Sequence, residues 1–150
     1  MTMITAFAII AALGLLAYIR LAPSDSAVWH VSPVTAAEVG QGACLDAITT
    51  QRNGARVACL SIKPPAILLS DLDAVALATP RTIRLAGTPQ SGRITWVTRT
   101  ALMGYPDYTT AEATPTPTGT RLDIHARQRF GGADFGVNVA RVTAWLDMLD

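Results

Sequence analysis

The chain has 150 residues, the length of one domain, of which 50% are hydrophobic and 15% are charged. Its formal net charge of +1 lacks the strong positive balance of a nucleic-acid-binding module, so no nucleic acid partner is expected. The high apolar content likewise excludes an acidic disordered tail.

The first feature along the chain is an uncharged, almost wholly apolar stretch from residue 3 to residue 19. As a helix it would be roughly 26 Å long, close to the roughly 30 Å thickness of a bilayer's hydrocarbon core. A cleaved signal peptide is the alternative, but no Lys or Arg precedes the stretch and no clean small-x-small cleavage site lies directly before Pro23. We therefore predict a transmembrane anchor over residues 1–22. Arg20, on its C-terminal side, favours a cytoplasmic domain by the positive-inside rule.

The two cysteines, Cys44 and Cys59, are open to two interpretations. As a disulfide they would close a loop of about 15 residues and contribute roughly 3 kcal/mol, in an oxidising compartment. As separate thiols they would be two unrelated buried side chains. The chain has only two histidines, His30 and His125, and no C-x-x-C motif, so it lacks the usual ligands of a structural zinc site. We expect no metal and no cofactor.

Residues 23–52 contain prolines and glycines that interrupt any helical period, and we predict an irregular tether that packs on the domain. An apolar run over residues 57–62 predicts a strand that ends at two prolines. Those prolines suit the first turn of a helix over residues 66–78. The predicted domain itself covers residues 53–150.

Beyond residue 80 the hydrophobic period changes from that of a helix to two. Alternating runs over residues 81–86, 93–103 and 121–130 predict strands of an antiparallel sheet, and residues 105–110 are a candidate for another. Residues 114–119 read TPTPTG and are predicted as a connecting loop, because proline cannot donate a ladder hydrogen bond. The predicted fold class is α+β, with a single transmembrane helix followed by a small antiparallel sheet flanked by two helices.

The predicted strand over residues 121–130 separates apolar from polar side chains. Five polar side chains fall together on one face: Arg121, Asp123, His125, Arg127 and Arg129. This face is open to three interpretations. It is a solvated face of the kind antiparallel sheets commonly have, an anion-binding surface built from guanidinium groups, or a face that docks a protein partner.

The second predicted helix, over residues 137–149, directs Asn138 and Arg141 toward the core. A buried guanidinium without a partner is costly, so Arg141 should meet a carboxylate, and Asp134 and Asp107 are the candidates. The cluster is either a structural network that pins the helix to the sheet or, with the helix N-terminus and nearby arginines, an anion site.

Three segments of the chain form recognisable motifs: residues 98–100 (TRT), 104–107 (GYPD) and 129–141 (RFGGADFGVNVAR). They resemble the motifs of a bacterial family of unknown function, DUF1499, and residues 23–30 are similar to its anchored members. The resemblance implies a small α+β domain, often behind a membrane anchor or signal, with no established reaction. The polar residues that it carries over are Arg99, Asp107, Arg129, Asp134, Asn138 and Arg141.

The chain lacks the G-x-S-x-G, G-x-x-x-x-G-K-[ST] and H-E-x-x-H signatures of common hydrolases, phosphate-binding loops and metalloproteases. Residues 41–44 (QGAC) faintly resemble the segment before a papain-type nucleophile. Cys44 would then need His30 or His125 within hydrogen-bond reach. Enzymatic activity is not expected, although an unrecognised hydrolase stays open.

The sequence thus predicts a membrane-anchored, non-catalytic interaction domain that acts as an accessory or assembly factor for a membrane protein complex. The alternative is a domain that binds a small anion. Its candidate residues, for ligand or partner, are Arg99, Asp107, Arg127, Arg129, Asp134, Asn138 and Arg141. The family resemblance and a Cys44–Cys59 disulfide outweigh Arg20, so we expect the bacterial inner membrane with the domain facing the periplasm.

Overall fold

The structure is a computed structural model that describes residues 3–35, 39–40 and 43–149. The helices of this part of the chain are α1 (Met3–Leu21), α2 (Ser26–Trp29), α3 (Pro65–Ala78) and α4 (Val137–Asp147). The strands are β1 (Ile48–Gln51), β2 (Gly54–Ser61), β3 (Thr82–Thr88), β4 (Arg93–Arg99), β5 (Pro106–Thr116) and β6 (Gly119–Gln128).

These strands form one antiparallel sheet in the order β1-β2-β6-β5-β4-β3. The longest pairing joins β5 to β6, from the pair Asp107–Gln128 to the pair Thr116–Gly119. We call the corresponding ends of the sheet the Asp107 end and the Thr116 end. The α+β fold class predicted from the sequence is confirmed.

One face of the sheet carries the hydrophobic core, and both α3 and α4 pack on it. Leu69 and Leu72 of α3 are fully buried there. Trp96 of β4 meets Trp145 of α4 edge to face, with the ring centroids 5.6 Å apart. The two predicted helices therefore cover the same side of the sheet, which we call the helix face.

The opposite face of the sheet is crossed by residues 22–35, which we call the strap. The strap follows α1 and contains one short helix, α2, which Asp25 begins by accepting a hydrogen bond from the Ala27 backbone N–H at 2.8 Å. It then lies across the polar side chains of β4, β5 and β6. The interpretation of the polar face of β6 as a solvated surface is wrong wherever the strap covers it.

The loop predicted for residues 114–119 is wrong in its first half, because β5 continues to Thr116. Pro115 is tolerated there because it lies beyond the last pair of β4 with β5, Arg93–Glu112. From that point β5 pairs with β6 alone, and a missing backbone donor interrupts no ladder on the other side.

Residues 23–52 are less irregular than predicted, since they contain α2, a 3-10 turn over Cys44–Ala47 and the edge strand β1. A strand as short as β1 gives too few alternations to be recognised, and it forms by pairing with the first half of β2. The strand predicted over residues 93–103 ends at Arg99, where the chain turns toward β5. The division of the chain into anchor, tether and domain stays a prediction.

Candidate functional site

Arg141, Asp107 and Asn138 form a buried hydrogen-bond network where α4 meets β5. Arg141 Nη2 donates to Asp107 Oδ2 at 2.9 Å, and its Nη1 donates to Asn138 Oδ1 at 2.7 Å. Asp107 is 4% exposed and Asn138 is 0% exposed. Of the two carboxylates expected for Arg141, the structure pairs it with Asp107. The network ties α4 to the sheet.

Asp134 instead lies just before α4 and accepts hydrogen bonds from backbone N–H groups at its start. Its Oδ1 accepts from the Gly136 backbone N–H at 3.0 Å and its Oδ2 accepts from that of Asn138 at 3.1 Å. The next two residues, Phe135 and Gly136, have φ angles of 52° and 82° respectively. This left-handed conformation is natural for glycine and costs about 1 kcal/mol for other residues. The Phe135 side chain is 95% exposed, so its own burial does not offset that cost.

Burial raises the pKa of Asp107 above its ordinary value, and the hydrogen bond and charge of Arg141 offset this only in part. The nearby carboxylate of Asp134 raises it further. Structural ion pairs perturb pKa values as catalytic groups do. Because Asp107 is already held by a guanidinium, its raised pKa does not by itself indicate acid-base chemistry.

A pocket of about 490 Å³ opens beside this network, between the chain segments 100–107 and 128–137. It brings together parts of the motifs that the sequence singled out. The side chains that give it polar and aromatic walls are Asp107, Gln128, Asp134, Tyr105, Phe130 and Phe135. Three buried polar atoms have no hydrogen-bond partner among the described residues: Thr109 Oγ1, Gln128 Nε2 and Asn138 Nδ2. The amide nitrogens of Gln128 and Asn138 are hydrogen-bond donors, so the groups missing here are hydrogen-bond acceptors and not cations.

Two of the predicted arginines lie on the other face of the sheet, under the strap. Arg127 Nη2 donates to the Trp29 carbonyl at 2.8 Å, and Arg129 Nη1 donates to the Pro23 carbonyl at 2.6 Å. Each guanidinium satisfies a backbone carbonyl of the irregular segment that crosses it. These side chains hold the strap on the sheet.

Arg99, at the end of β4, also donates to carbonyls. Its Nη1 lies 3.0 Å from the Gly104 oxygen and its Nη2 lies 3.3 Å from the Ala22 oxygen. The seven residues predicted as one cluster therefore separate into two groups. One group is the α4 network with its helix cap, and the other consists of the arginines that bind the strap.

Trp29 is the main aromatic contact of the strap, and sequence reasoning missed its role. Its ring stacks on Tyr108 of β5 with the centroids 3.8 Å apart and the planes 6° from parallel. The Arg127 guanidinium carbon lies 5.3 Å from the Trp29 ring centroid. The neighbouring His30 Nδ1 lies 2.9 Å from Thr95 Oγ1. The pair Trp29-His30 is the only sequence signal for this contact, because a loop tryptophan has no periodic pattern.

His125 lies between two arginines on the same face. Arg56 is its partner across β2 and β6, and Arg127 Nη1 lies 3.1 Å from its Nδ1. Burial lowers the pKa of His125 to about 4, and the charges of Arg56 and Arg127 contribute to the same shift. His125 is therefore neutral at pH 7, so its Nδ1 accepts the Arg127 hydrogen bond.

A disulfide joins Cys44 and Cys59, with the sulfur atoms 2.02 Å apart. Cys44 therefore has no free thiol, and the papain-like interpretation loses its nucleophile. Gln41 and Gly42 of that motif lie outside the described residues. Within the described ranges, no group of three His, Cys, Asp or Glu side chains is placed to hold a metal ion.

The C-terminal end of α1 is fixed to the domain at the Asp107 end of the sheet. Arg20 Nη2 donates to the Leu102 carbonyl, and the rings of Tyr18 and Phe130 are 6.1 Å apart. Ile19 is 4% exposed, whereas most of α1 is exposed. By length and composition α1 could cross a membrane, a property that signal sequences share. We call this set of contacts the joint.

The family model described as "Protein of unknown function (DUF1499)" matches residues 34–149. Among solved structures, the X-ray crystal structure of protein MLL2253 from Mesorhizobium loti is similar to this chain, with 17% sequence identity and a TM-score of 0.48. The match covers 63% of this chain and 91% of that chain. No curated protein matches the sequence.

Proposed function

This chain belongs to DUF1499, a family of proteins of unknown function, and from that premise we propose that it is a membrane-anchored, non-catalytic domain that binds a membrane protein partner. It would serve as an accessory or assembly factor in the bacterial inner membrane, with the domain in the periplasm. The observation that carries the proposal is the joint, which fixes the domain to α1.

The joint favours an anchor that stays on the protein over a signal peptide that is removed. Ile19 and Ala22 are 4% and 3% exposed, so cleavage before Pro23 would remove packed side chains. It would also free the start of the strap, whose carbonyls accept hydrogen bonds from Arg99 and Arg129. A signal peptide that leaves the mature protein gains nothing from such contacts.

A protein partner is supported by what lies next to the joint. A pocket of about 380 Å³ there is lined by Arg20, Ile83 and Val97, among others. Ile83 belongs to the edge strand β3 and is 64% exposed. Edge strands have unpaired backbone groups that can pair with another chain. A partner segment that leaves the membrane beside α1 would meet this edge, and the anchor would raise its effective concentration.

The alternatives have less support. Three of the four predicted arginines donate to backbone carbonyls and the fourth pairs with a carboxylate, which leaves them poorly placed for a small anion. The thiol-hydrolase alternative needs a free Cys44, which is bonded to Cys59. The same disulfide supports an oxidising compartment, and hence the periplasm.

Photo-crosslinking in native membranes tests the proposal. A benzophenone amino acid replaces Ile83 or, as a control, Ile62, which is 96% exposed and follows β2 at the Thr116 end. We expect a discrete protein adduct from position 83 that position 62 does not give. Equal labelling at both positions, or none at position 83, would contradict a partner at β3. The intact mass of the mature protein checks separately that α1 is retained.

A further inference from the structure

The Asp107 end of the sheet is the end that α1 brings to the membrane. In the joint, α1 makes contact with Leu102 and Phe130. These two residues belong to the two chain segments that flank this end of the sheet. The Thr116 end lies nine strand residues away along β5. At about 3.3 Å per residue the two ends are roughly 30 Å apart. If α1 spans a bilayer, the first end lies at its surface and the second lies well above it.

Two loops at the Asp107 end, residues 100–104 and 131–136, expose large apolar side chains. Leu102 is 81% exposed and Phe135 is 95% exposed. Phe135 also has a backbone conformation that is unfavourable for a residue with a side chain. Phe135 lines one wall of the pocket beside the α4 network, but burial in the domain does not stabilise its side chain. It is of the size and polarity that bilayer interfaces accept.

Exposed arginines surround these loops. Arg20 lies in the joint, Arg52 in the turn between β1 and β2, and Arg81 directly before β3. Each uses one nitrogen to donate to a backbone carbonyl. Unlike the half-buried arginines under the strap and in the α4 network, all three are exposed, so their remaining N–H groups face solvent. The register of the strands places the β1–β2 turn with Arg52, and the start of β3 next to Arg81, at the Asp107 end. Among the carboxylates near this end that the structure describes, Asp107 and Asp134 are buried and Asp25 in the strap is exposed.

The charges of the Thr116 end contrast with this pattern. There Lys63 pairs with Asp71 and Arg121 pairs with Asp123. The exposed positive charge is therefore concentrated at the end that also has the two apolar loops. A combination of cationic and apolar side chains on one surface is the chemistry that binds anionic phospholipids.

We infer that the Asp107 end docks on an anionic bilayer surface, with Leu102 and Phe135 in the headgroup region and Arg20, Arg52 and Arg81 against lipid phosphates. The inference rests on α1 being a membrane anchor, as in the proposed function. It adds that the domain stands on the membrane with its strands steep to the surface. This orientation leaves the β3 edge free for a protein partner.

Depth-dependent fluorescence quenching tests the inference on the full chain in vesicles. One environment-sensitive fluorophore is attached to a single added cysteine, with the native disulfide intact, in Phe135→Cys, Leu102→Cys, Ile62→Cys or Ala12→Cys. The vesicles contain phosphatidylcholine with phosphatidylglycerol, and the quenchers are lipids spin-labelled near the headgroup or in the chains, and aqueous iodide. Ile62 matches Phe135 in exposure, and Ala12 reports the depth of α1.

We expect headgroup-labelled lipid to quench positions 135 and 102 severalfold more than position 62, and chain-labelled lipid to quench position 12. Arg52→Gln with Arg81→Gln should reduce quenching at position 135, whereas Lys63→Gln at the other end should not. If positions 135 and 62 behave alike while position 12 is quenched, the inference is overturned and the anchor stands.

Two other outcomes also overturn the inference. If position 12 is not quenched, the anchor of the proposed function fails together with the docking. If position 135 is exposed to iodide in these vesicles but shielded in native membranes, a protein covers this end instead of lipid.

Discussion

The two faces of the sheet use the same strands but are held to their covers by different forces. On the helix face, Trp96 of β4 is buried against two regular helices, and Leu69 and Leu72 of α3 are buried against the sheet. The strap face is crossed by a mostly irregular segment whose contacts are carbonyl-guanidinium bonds and one aromatic stack. Hydroxyl groups on this face also form hydrogen bonds with each other, and Thr95 Oγ1 lies 2.9 Å from Thr110 Oγ1.

The difference has an energetic consequence. Burial of apolar area is non-directional and accumulates over many side chains, at about 25 cal/mol per Å². A hydrogen bond contributes a net of about 1 kcal/mol, because water competes for the same groups. We therefore expect the helix face to determine global stability and the strap to open at a lower free energy than the domain unfolds.

The largest expected effect follows removal of a core ring on the helix face. Trp96 is fully buried, and its Nε1 donates to Asp73 Oδ1 at 2.8 Å. Trp96→Ala should lower the free energy of unfolding by about 4 kcal/mol, measured by urea titration of the full chain in detergent. Ile67→Ala is the control on α3, because Ile67 is 54% exposed. Similar small losses from both variants would contradict the assignment of the core.

A slightly smaller loss is expected from the polar network of the same face. Arg141→Ala leaves the buried Asp107 carboxylate without its cation, which should cost about 3 kcal/mol in the same titration. The double variant Arg141→Met with Asp107→Leu should recover most of that loss, because no charge is then left unpaired. A single variant as stable as the unaltered protein would show that the network does not hold α4 to the sheet.

The strap should respond more locally. Trp29→Ala removes the stack on Tyr108 and should cost about 2 kcal/mol, whereas Val28→Ala should cost under about 0.5 kcal/mol because Val28 is 59% exposed. Hydrogen exchange read by mass spectrometry should show faster exchange in residues 22–35 of the Trp29 variant. Exchange in α3 should stay unchanged. Equal acceleration in α3 would mean that the strap and the core unfold together.

The helix face could be predicted from the sequence because its signal is periodic. The proline pair and the apolar spacing predicted a helix over residues 66–78, and α3 runs from Pro65 to Ala78. The alternation of apolar and polar residues over residues 121–130 likewise predicted that Arg127 and Arg129 lie on the face opposite the core, as the structure shows. The requirement that a buried guanidinium has a partner led to Asp107, although it could not choose between Asp107 and Asp134.

The strap face could not be predicted because its contacts join distant positions without a repeating pattern. His30 and Thr95 are 65 residues apart, and Trp29 and Thr110 are 81 apart. Each bond depends on the path of an irregular segment, which neither propensity nor hydrophobic period determines. Treating all the polar residues as one cluster hid the fact that the sheet lies between the two groups.

The smallest expected effect is a dependence of stability on pH that arises from histidines of the strap face. His125 and His30 both lie on the strap face, and burial lowers the pKa of each. The charges of Arg56 and Arg127 lower the pKa of His125 further. The charge of Arg93 lowers the pKa of His30 further, and the charge of Glu112 opposes that shift. In the unfolded chain a histidine titrates near pH 6.5, whereas folded His125 resists protonation down to about pH 4. The unfolded state therefore binds more protons between these values, and stability falls as the pH falls through that window.

His125→Gln measures this contribution, because glutamine can accept the Arg127 hydrogen bond without titrating. Between pH 7 and pH 4 the unaltered protein should lose on the order of 1 kcal/mol more stability than the variant, after allowance for solvent screening of a partly exposed group. Urea titrations of both proteins at the two pH values check this. His30→Gln should give a change of the same sign, since burial and the charge of Arg93 also lower the pKa of His30 in the folded chain. If either variant lost as much stability in acid as the unaltered protein, that histidine would not couple strap docking to pH, and the carboxylates would carry the whole acid sensitivity.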